Sequence, residues 1–454
     1  MGIRGNITKN YWIKSGLLSL FQNIFNVAFG FGGFYFLIRV LSKEQYGTYV
    51  LFLATVSIIE LTRNGLLQNA MIKFIAGVEE REKPAVVSTS LLINLGITSL
   101  LSLIILALAP ILSYVWDTPA ITTMLYLYII AFFISGIQMF FNSVEQAYLN
   151  FKGLFYCSFT SQIISFAYIS TCFFLGIEIS LISLVLVNIL STTISTIPAW
   201  RYARHNLPAL SLKLHINWMK KMLDYGKYAM GTSVNALLSS TIDQMMLGAL
   251  LSPASAGKFN IALRISNLAN IPSNAMATIV FPQGSKRAET EGNTALKYLY
   301  EKSVGSILAI LVPALLFIYI LADPIIHFVA SEKYADAIPL LKITLIYSLF
   351  IPFSRQTGTI LESVGKTKLN FYLVLFTGIF NMLLNFFFIS RWGVLGAAYA
   401  TLGTNFVFFG VSQYFNRKLF NVSLLNPWIY AIQFYPEIFR KLFPRKPAPR
   451  YEIK

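Results

Sequence analysis

Apolar runs of roughly 20 residues recur along almost the whole chain, a length that lets a helix cross the hydrocarbon core of a bilayer. Short polar turns, many carrying Gly or Pro, separate them. The pattern predicts twelve spans, near 15–41, 47–72, 86–115, 121–149, 154–176, 179–200, 227–251, 257–282, 302–322, 338–363, 368–390 and 394–416. The expected fold class is an all-α polytopic membrane protein. No soluble domain fits between the spans, and the longest connection runs from Arg201 to Gly226. The first apolar run, Leu17 to Leu41, is too long for a signal peptide and ends without a small-residue cleavage site, so it is expected to be a retained span.

Composition agrees. Of 454 residues 56% are hydrophobic and only 12% charged, against about 25% charged in soluble domains. The net charge of +17 is scattered among the turns instead of forming one basic stripe, which excludes a nucleic-acid partner. With the N-terminus inside, about 27 of the basic residues fall on inner segments and about 5 on outer ones, the bias that fixes topology. Both termini are therefore expected on the cytoplasmic side. The basic and aromatic tail, 417–454, is expected to lie against anionic membrane lipid.

The residue types exclude several chemistries. His205, His215 and His327 have no metal-ligand spacing. Gly365-Lys366-Thr367 is not a phosphate loop, because Ile360 stands where that motif needs glycine. Cys157 and Cys172 share one predicted helix about 22 Å apart and cannot bond. No cofactor, no metal and no catalytic residue is expected, and so no enzyme.

The chain repeats itself. Leu41-Ser42 with Gly47 and Tyr49 is answered by Leu251-Ser252 with Gly257 and Phe259, 210 residues on. Asn150 to Tyr156 is echoed by Lys366 to Tyr372 at an offset near 216. Six spans separate the copies, so the halves should share one orientation, with a site between them near the midplane. The expected organisation is an N-terminal six-helix lobe at 1–200, a basic cytoplasmic linker at 201–226, a second lobe at 227–416 and the tail at 417–454.

Three segments carry a resemblance. They are Arg39 to Gly47, Asp243 to Arg264, and Thr359 to Thr367 followed by Gly393-Val394-Leu395-Gly396-Ala397-Ala398. The sequence resembles polysaccharide flippases of the Wzx type, within the multidrug/oligosaccharidyl-lipid/polysaccharide (MOP) exporter superfamily. The resemblance implies a V-shaped twelve-span transporter of two six-helix lobes. It also implies outward movement of a lipid-linked oligosaccharide, of the O-antigen kind, with polysaccharide-assembly proteins as partners. A cation-coupled multidrug antiporter of the same superfamily is the alternative, and an integral membrane glycosyltransferase or polymerase fits less well because the outer loops are short.

Charge inside a span is costly, roughly 2.5–3.5 kcal/mol or more at mid-bilayer, so such residues mark candidate sites. Arg264, Arg63, Arg355 and Lys342 are the candidates for an anionic head group, since the arginine fork suits phosphate oxygens. Asn26, Asn142 and Asn267 are candidates for sugar hydroxyls. Glu60, Glu145 and Asp243 are candidates for ion coupling or for pairing. Structural readings stand beside these: Glu60 pairs with Arg63, Asp243 with Arg264, Arg355 with Glu362, and Lys342 snorkels to the outer interface. Polar stripes recur at helical spacing: Ser15, Ser19, Gln22 and Asn26; Gln138, Asn142 and Glu145; Asn260, Arg264, Asn267 and Asn274; Thr344, Ser348, Arg355, Thr359 and Glu362; Asn370, Thr377, Asn381 and Asn385. Such stripes serve helix–helix hydrogen bonds or a wet cavity. Pro272, Pro313 and Pro352 are the expected flex points.

Overall fold

A computed structural model describes residues 25–208, 211 and 213–442. The stripe residues Ser15, Ser19 and Gln22 and the terminal basic residues lie outside them. The described residues are helical, with no strand. In chain order the helices are α1 (Phe25–Val40), α2 (Lys43–Gly77), α3 (Lys83–Val115), α4 (Ala120–Ala147), α5 (Lys152–Leu175), α6 (Leu181–Ala203), α7 (Ile216–Leu250), α8 (Pro253–Ser266), α9 (Asn270–Glu291), α10 (Asn293–Ile320), α11 (Ala322–Ala330), α12 (Ile338–Ser348), α13 (Ile351–Ser363), α14 (Thr367–Phe420) and α15 (Asn426–Leu442). Eight helical stretches among the described residues are long and apolar enough to cross a membrane. The stretch Glu332–Ser363 holds α12 and α13, and α14 folds into two arms at Gly393, whose φ of 58° a Cβ would disfavour. The fold is that of an all-α polytopic membrane protein.

α7 and the α8–α9 pair are helical but too polar to count among those eight. Helices of that composition need protein or water beside them, because lipid satisfies no polar side chain.

By its contacts the chain divides into two compact units, Met1–Lys258 and Phe259–Lys454. In the first, Leu67, Met71 and Ile75 of α2 pack with Val86 and Ile93 of α3, Phe140 and Val144 of α4, and Met222 of α7. α7 begins at Ile216, inside the stretch expected to be linker. The reason is amphipathicity: Trp218, Met219, Met222 and Leu223 reach this core while Lys221 and Asp224 stay exposed. Gly226 lets α7 meet α2 backbone to backbone, since a Cβ there would overlap the Leu66 carbonyl.

The second unit is built round Leu296, Tyr300, Val304 and Leu308 of α10, Phe353 and Ile360 of α13, and Leu373 and Phe408 of α14. α15 crosses α10 where Gly305 leaves room for Pro427 and Tyr430. Tyr435 donates to the Ala309 carbonyl at 2.5 Å, and Lys302 pairs with Glu437 at 3.0 Å. The opposite face of α15 exposes Trp428, Ile429, Ile432 and Phe439, the apolar stripe of a helix lying in a membrane interface.

The internal repeat is written in the turns. Ser42 Oγ accepts the Gln45 N–H at 3.1 Å to cap α2, and Ser252 Oγ accepts the Ser255 N–H at 3.3 Å to cap α8, 210 residues on. Left-handed residues Asp117, Leu149 and Gly176 are matched by Ser331, Gly365 and Gly393, at offsets of 214, 216 and 217. Glu145 Oε1 accepts the N–H of Gly153, eight residues ahead, and Glu362 Oε1 accepts Asn370 Nδ2, also eight ahead. The equivalent glycines of the first motif abut, for a Cβ on Gly257 would lie 2.9 Å from Gly47 Cα.

Candidate functional site

In the second unit two neighbouring helices are broken side by side. A single 3-10 turn, Asn267–Ala269, separates α8 from α9, and Leu349-Phe350 separates α12 from α13. The prolines set both positions. Pro272 and Pro352 sit in the first turn of the new helix, where a missing N–H costs nothing, so each break falls just before its proline. Pro313, by contrast, lies within an uninterrupted α10.

The two pairs are stitched on either side of the breaks. Ser266 of α8 hydrogen-bonds Thr344 of α12, and Gln356 Nε2 of α13 donates to the Ser273 carbonyl of α9 at 3.2 Å. Two more buried polar atoms in the second stitch, Ser273 Oγ and Gln356 Oε1, have no partner among the described residues. The breaks lie about 20 Å along from the start of α8 and about 17 Å from that of α12, from the helical rise. That is near the middle of a hydrocarbon core of about 30 Å. Broken helices at that depth are tolerated only where protein or a wet cavity meets the freed backbone groups, and they are typical of transporter binding sites.

Charged and polar side chains flank the breaks. Asn260, Arg264 and Asn267 form the less buried stripe of α8, and Arg264 Nε donates to Asn260 Oδ1 at 3.3 Å. Asn267 is exposed and accepts from Asn270 Nδ2 at 3.1 Å. On α13 the open face carries Ile351, Arg355, Gly358 and Glu362, with Arg355 and Glu362 exposed. Glu362 bonds Asn370, so the expected Arg355–Glu362 pair is absent from the salt bridges among the described residues. The single polar face expected for 338–363 is split: Thr344 and Ser348, before the break, are buried, whereas Arg355 and Glu362, after it, face out. The break at Leu349-Phe350 resets the helical phase.

The other candidates are placed differently. Arg63 is 1% exposed. Its Nη1 donates to the Phe132 carbonyl at 2.7 Å, Nη2 to Ser135 Oγ at 3.1 Å and Nε to Asn64 Oδ1 at 3.2 Å, with the guanidinium over the Phe132 ring. Glu60 turns instead to the Tyr128 hydroxyl at 2.6 Å. Gly136 makes the node, for a Cβ there would crowd Arg63, Thr98 and Asn94. Asn94, which sequence reasoning missed, donates to the Gly136 carbonyl at 2.8 Å. Lys342 lies 5.8 Å from the Tyr319 ring centre near the last turn of α10, as a snorkelling lysine would.

The fourth-span stripe is absorbed by helix packing. Gln138 donates to Ser195 Oγ at 2.6 Å, Asn142 to Cys157 Sγ at 3.7 Å, and Glu145 caps the N-terminus of α5. Asn26 accepts from Ser158 at 3.0 Å. Asp243 is buried in α7. Asn381 and Asn385 bond to one another and to Thr404 inside the α14 hairpin.

An apolar side chain of similar volume refills the space of a buried arginine, at the cost of the hydrogen bonds that it donated. Arg63→Ala should therefore lower thermal stability in detergent by about 2–5 kcal/mol, chiefly through the cavity it leaves, while Arg63→Met should restore transport and part of the stability. A stable Arg63→Met variant without transport would give the charge a direct role.

Comparisons with known proteins agree with this architecture. An inward-facing multidrug resistance MATE family transporter of the MOP superfamily superposes with a TM-score of 0.73 at 14% identity, covering 87% of this chain and 94% of that one. The lipid II flippase MurJ, in an inward closed conformation, superposes at 0.70 and 15%, covering 97% and 94%. By sequence the chain is 22% identical over 182 residues to the probable low-salt glycan biosynthesis flippase Agl15 of Haloferax volcanii, 40% of this chain and 39% of that protein. Matches to curated relatives span between 39% and 58% of those relatives' lengths. The family model described as polysaccharide biosynthesis protein matches residues 36–339, more than half of the chain. The fold is thus that of MOP-superfamily transporters, and the chain belongs to the polysaccharide biosynthesis protein family.

Proposed function

We propose that the protein moves a polyprenyl-pyrophosphate-linked oligosaccharide from the cytoplasmic to the outer leaflet, for cell-surface polysaccharide assembly. The observation that carries this reading is the paired helix break with Arg264 and Arg355 beside it. A charged side chain at that depth faces a wet cavity, not lipid. Two arginines give forked donors to pyrophosphate oxygens, and Asn260 and Asn267 offer amides to sugar hydroxyls. Alternating access then exposes this partly cationic surface first inward and then outward. Two negative charges moving outward gain roughly 4.6 kcal/mol per 100 mV, enough to drive the loaded step without ATP.

The drug-antiport reading needs a carboxylate available for cation coupling. Glu145 Oε1 accepts at the N-terminus of α5, Glu60 accepts from Tyr128, and Asp243 is buried in α7. Reconstitution decides between them. Purified protein in vesicles holding a fluorescent lipid-linked oligosaccharide in the inner leaflet should expose it to an external glycosidase, faster with the vesicle interior negative. Vesicles that expel organic cations but leave the glycan inside would establish the antiporter.

A further inference from the structure

The second arm of α14 carries a stripe that the transport site does not use. Two cavities follow one another along it. One, of about 740 Å³, is walled by Phe350, Phe388, Trp392, Tyr399, Gly403 and Phe406 and is almost wholly apolar. The next, of about 670 Å³, is lined by Gly410, Gln413, Tyr414, Arg417, Asn421 and Ser423 along with apolar side chains. Between them Phe350 packs against Phe406 of the first and Phe409 of the second, with ring centres 6.1 and 5.4 Å apart. From Tyr399 to Arg417 the positions recur every three or four residues, so they share one helix face.

We propose that this groove binds a long-chain isoprenoid phosphate, with the tail along the apolar part and the phosphate at Arg417. This deepens the lipid-linked reading above and rests on it. Three observations point to that ligand. First, Arg417 is exposed and Lys418 follows it, at the end of the groove. Among the described residues no hydrogen bond or ion pair engages the Arg417 guanidinium, so its donors are open to phosphate oxygens. Second, two carbonyls of the turn that carries Arg417 are partnered: the Asn421 N–H returns to the Arg417 carbonyl at 3.0 Å and the Val422 N–H to the Asn416 carbonyl at 3.5 Å.

Third, length discriminates between lipids. Tyr399 and Arg417 are separated by about 27 Å of helix, close to the full hydrocarbon thickness of about 30 Å. A phospholipid acyl chain stays in its own leaflet, about half that depth, and fills only the Arg417 half. A tail that follows the whole stripe must be longer than a leaflet, as a polyprenyl chain is. Gly410 keeps the middle of the path clear, since a Cβ there would have nothing within 4 Å. A side chain at this position would therefore fill the groove without touching the protein.

The test uses the full chain in nanodiscs and three probes: a long-chain polyprenyl phosphate, farnesyl phosphate and phosphatidylglycerol, with binding followed by native mass spectrometry. The long chain should bind roughly tenfold more tightly than farnesyl phosphate, and phosphatidylglycerol should not displace it. Gly410→Phe cuts the path about 10 Å along the helix from Arg417, so it should abolish the chain-length advantage and leave both isoprenoid phosphates with equal, weaker binding. Arg417→Ala should weaken both isoprenoid phosphates by roughly tenfold, the loss of one charge-assisted contact. Equal affinity for long and short chains, displacement by phosphatidylglycerol, or an unchanged Gly410→Phe profile would each overturn the groove. The transport assay separates the two ideas. A wild-type protein that translocates the glycan without chain-length preference removes only the groove, and one that keeps the preference but translocates no glycan removes only the transport reading.

Discussion

Gly226→Leu is expected to eliminate folded protein from the membrane. At this position α7 touches α2 so closely that even a Cβ overlaps the Leu66 carbonyl. Backbone cannot step aside as a flexible side chain does, so α7 must separate from α2. Overpacking of this kind costs about 3 kcal/mol or more, and it falls on the helix pair that anchors Met222 in the core. Fluorescence-detected size-exclusion chromatography after graded heating would show Gly226→Leu aggregated at a temperature the native chain survives. The control is on the same helix. Gly231 has open space where its Cβ would go, so Gly231→Ala should be neutral or stabilise by about 0.5–1 kcal/mol through helix propensity. Equal stability of Gly226→Leu and the native chain would mean that α2 and α7 do not pack as described.

Arg355→Ala is expected to leave folding intact and to stop transport. Arg355 stands exposed on α13, about 12 Å from the end of that helix by the helical rise, and its loss opens no cavity in the core. Removing a charge-assisted contact to a desolvated anion costs about 2–5 kcal/mol. The lower end of that range already slows translocation by about 30-fold, at 1.36 kcal/mol per decade. Arg355→Lys keeps the charge but loses the fork, and should recover part of the rate. The measurement is glycan exposure in vesicles at matched protein levels. Normal translocation by Arg355→Ala would remove the open face of α13 from the binding surface.

The arginines show how far side-chain identity alone reaches. Arg63, Arg264 and Arg355 are equivalent by hydropathy, each a cation in an apolar run. The fold separates them. Arg63 meets a neighbouring helix that offers a carbonyl and a hydroxyl at the right distance and a glycine that makes room. Arg355 lies past a helix break that turns its face outward. The break before Arg355 is marked locally by Pro352, but the burial of Arg63 has no local signature, because it depends on what a distant segment presents. The asparagine stripes divide in the same way, with Asn142 consumed by α5 and Asn267 left exposed at a break.

The chain's order of residues by itself determined the membrane-spanning class, most of the helices and the twofold internal repeat. The hydrophobic period, the caps at Ser42 and Ser252 and the glycine turns are local, and each acts within a few residues. The prolines belong here too, since Pro272 and Pro352 fix where α9 and α13 can begin. Only the tertiary structure decided that two broken helices run side by side, that Arg63 is sealed within its unit, that α7 starts at Ile216, and that one face of α14 stays open as a groove. Those outcomes follow from desolvation. A buried polar group must find a partner from another helix or remain beside water, and which of the two happens is settled by packing across the bundle.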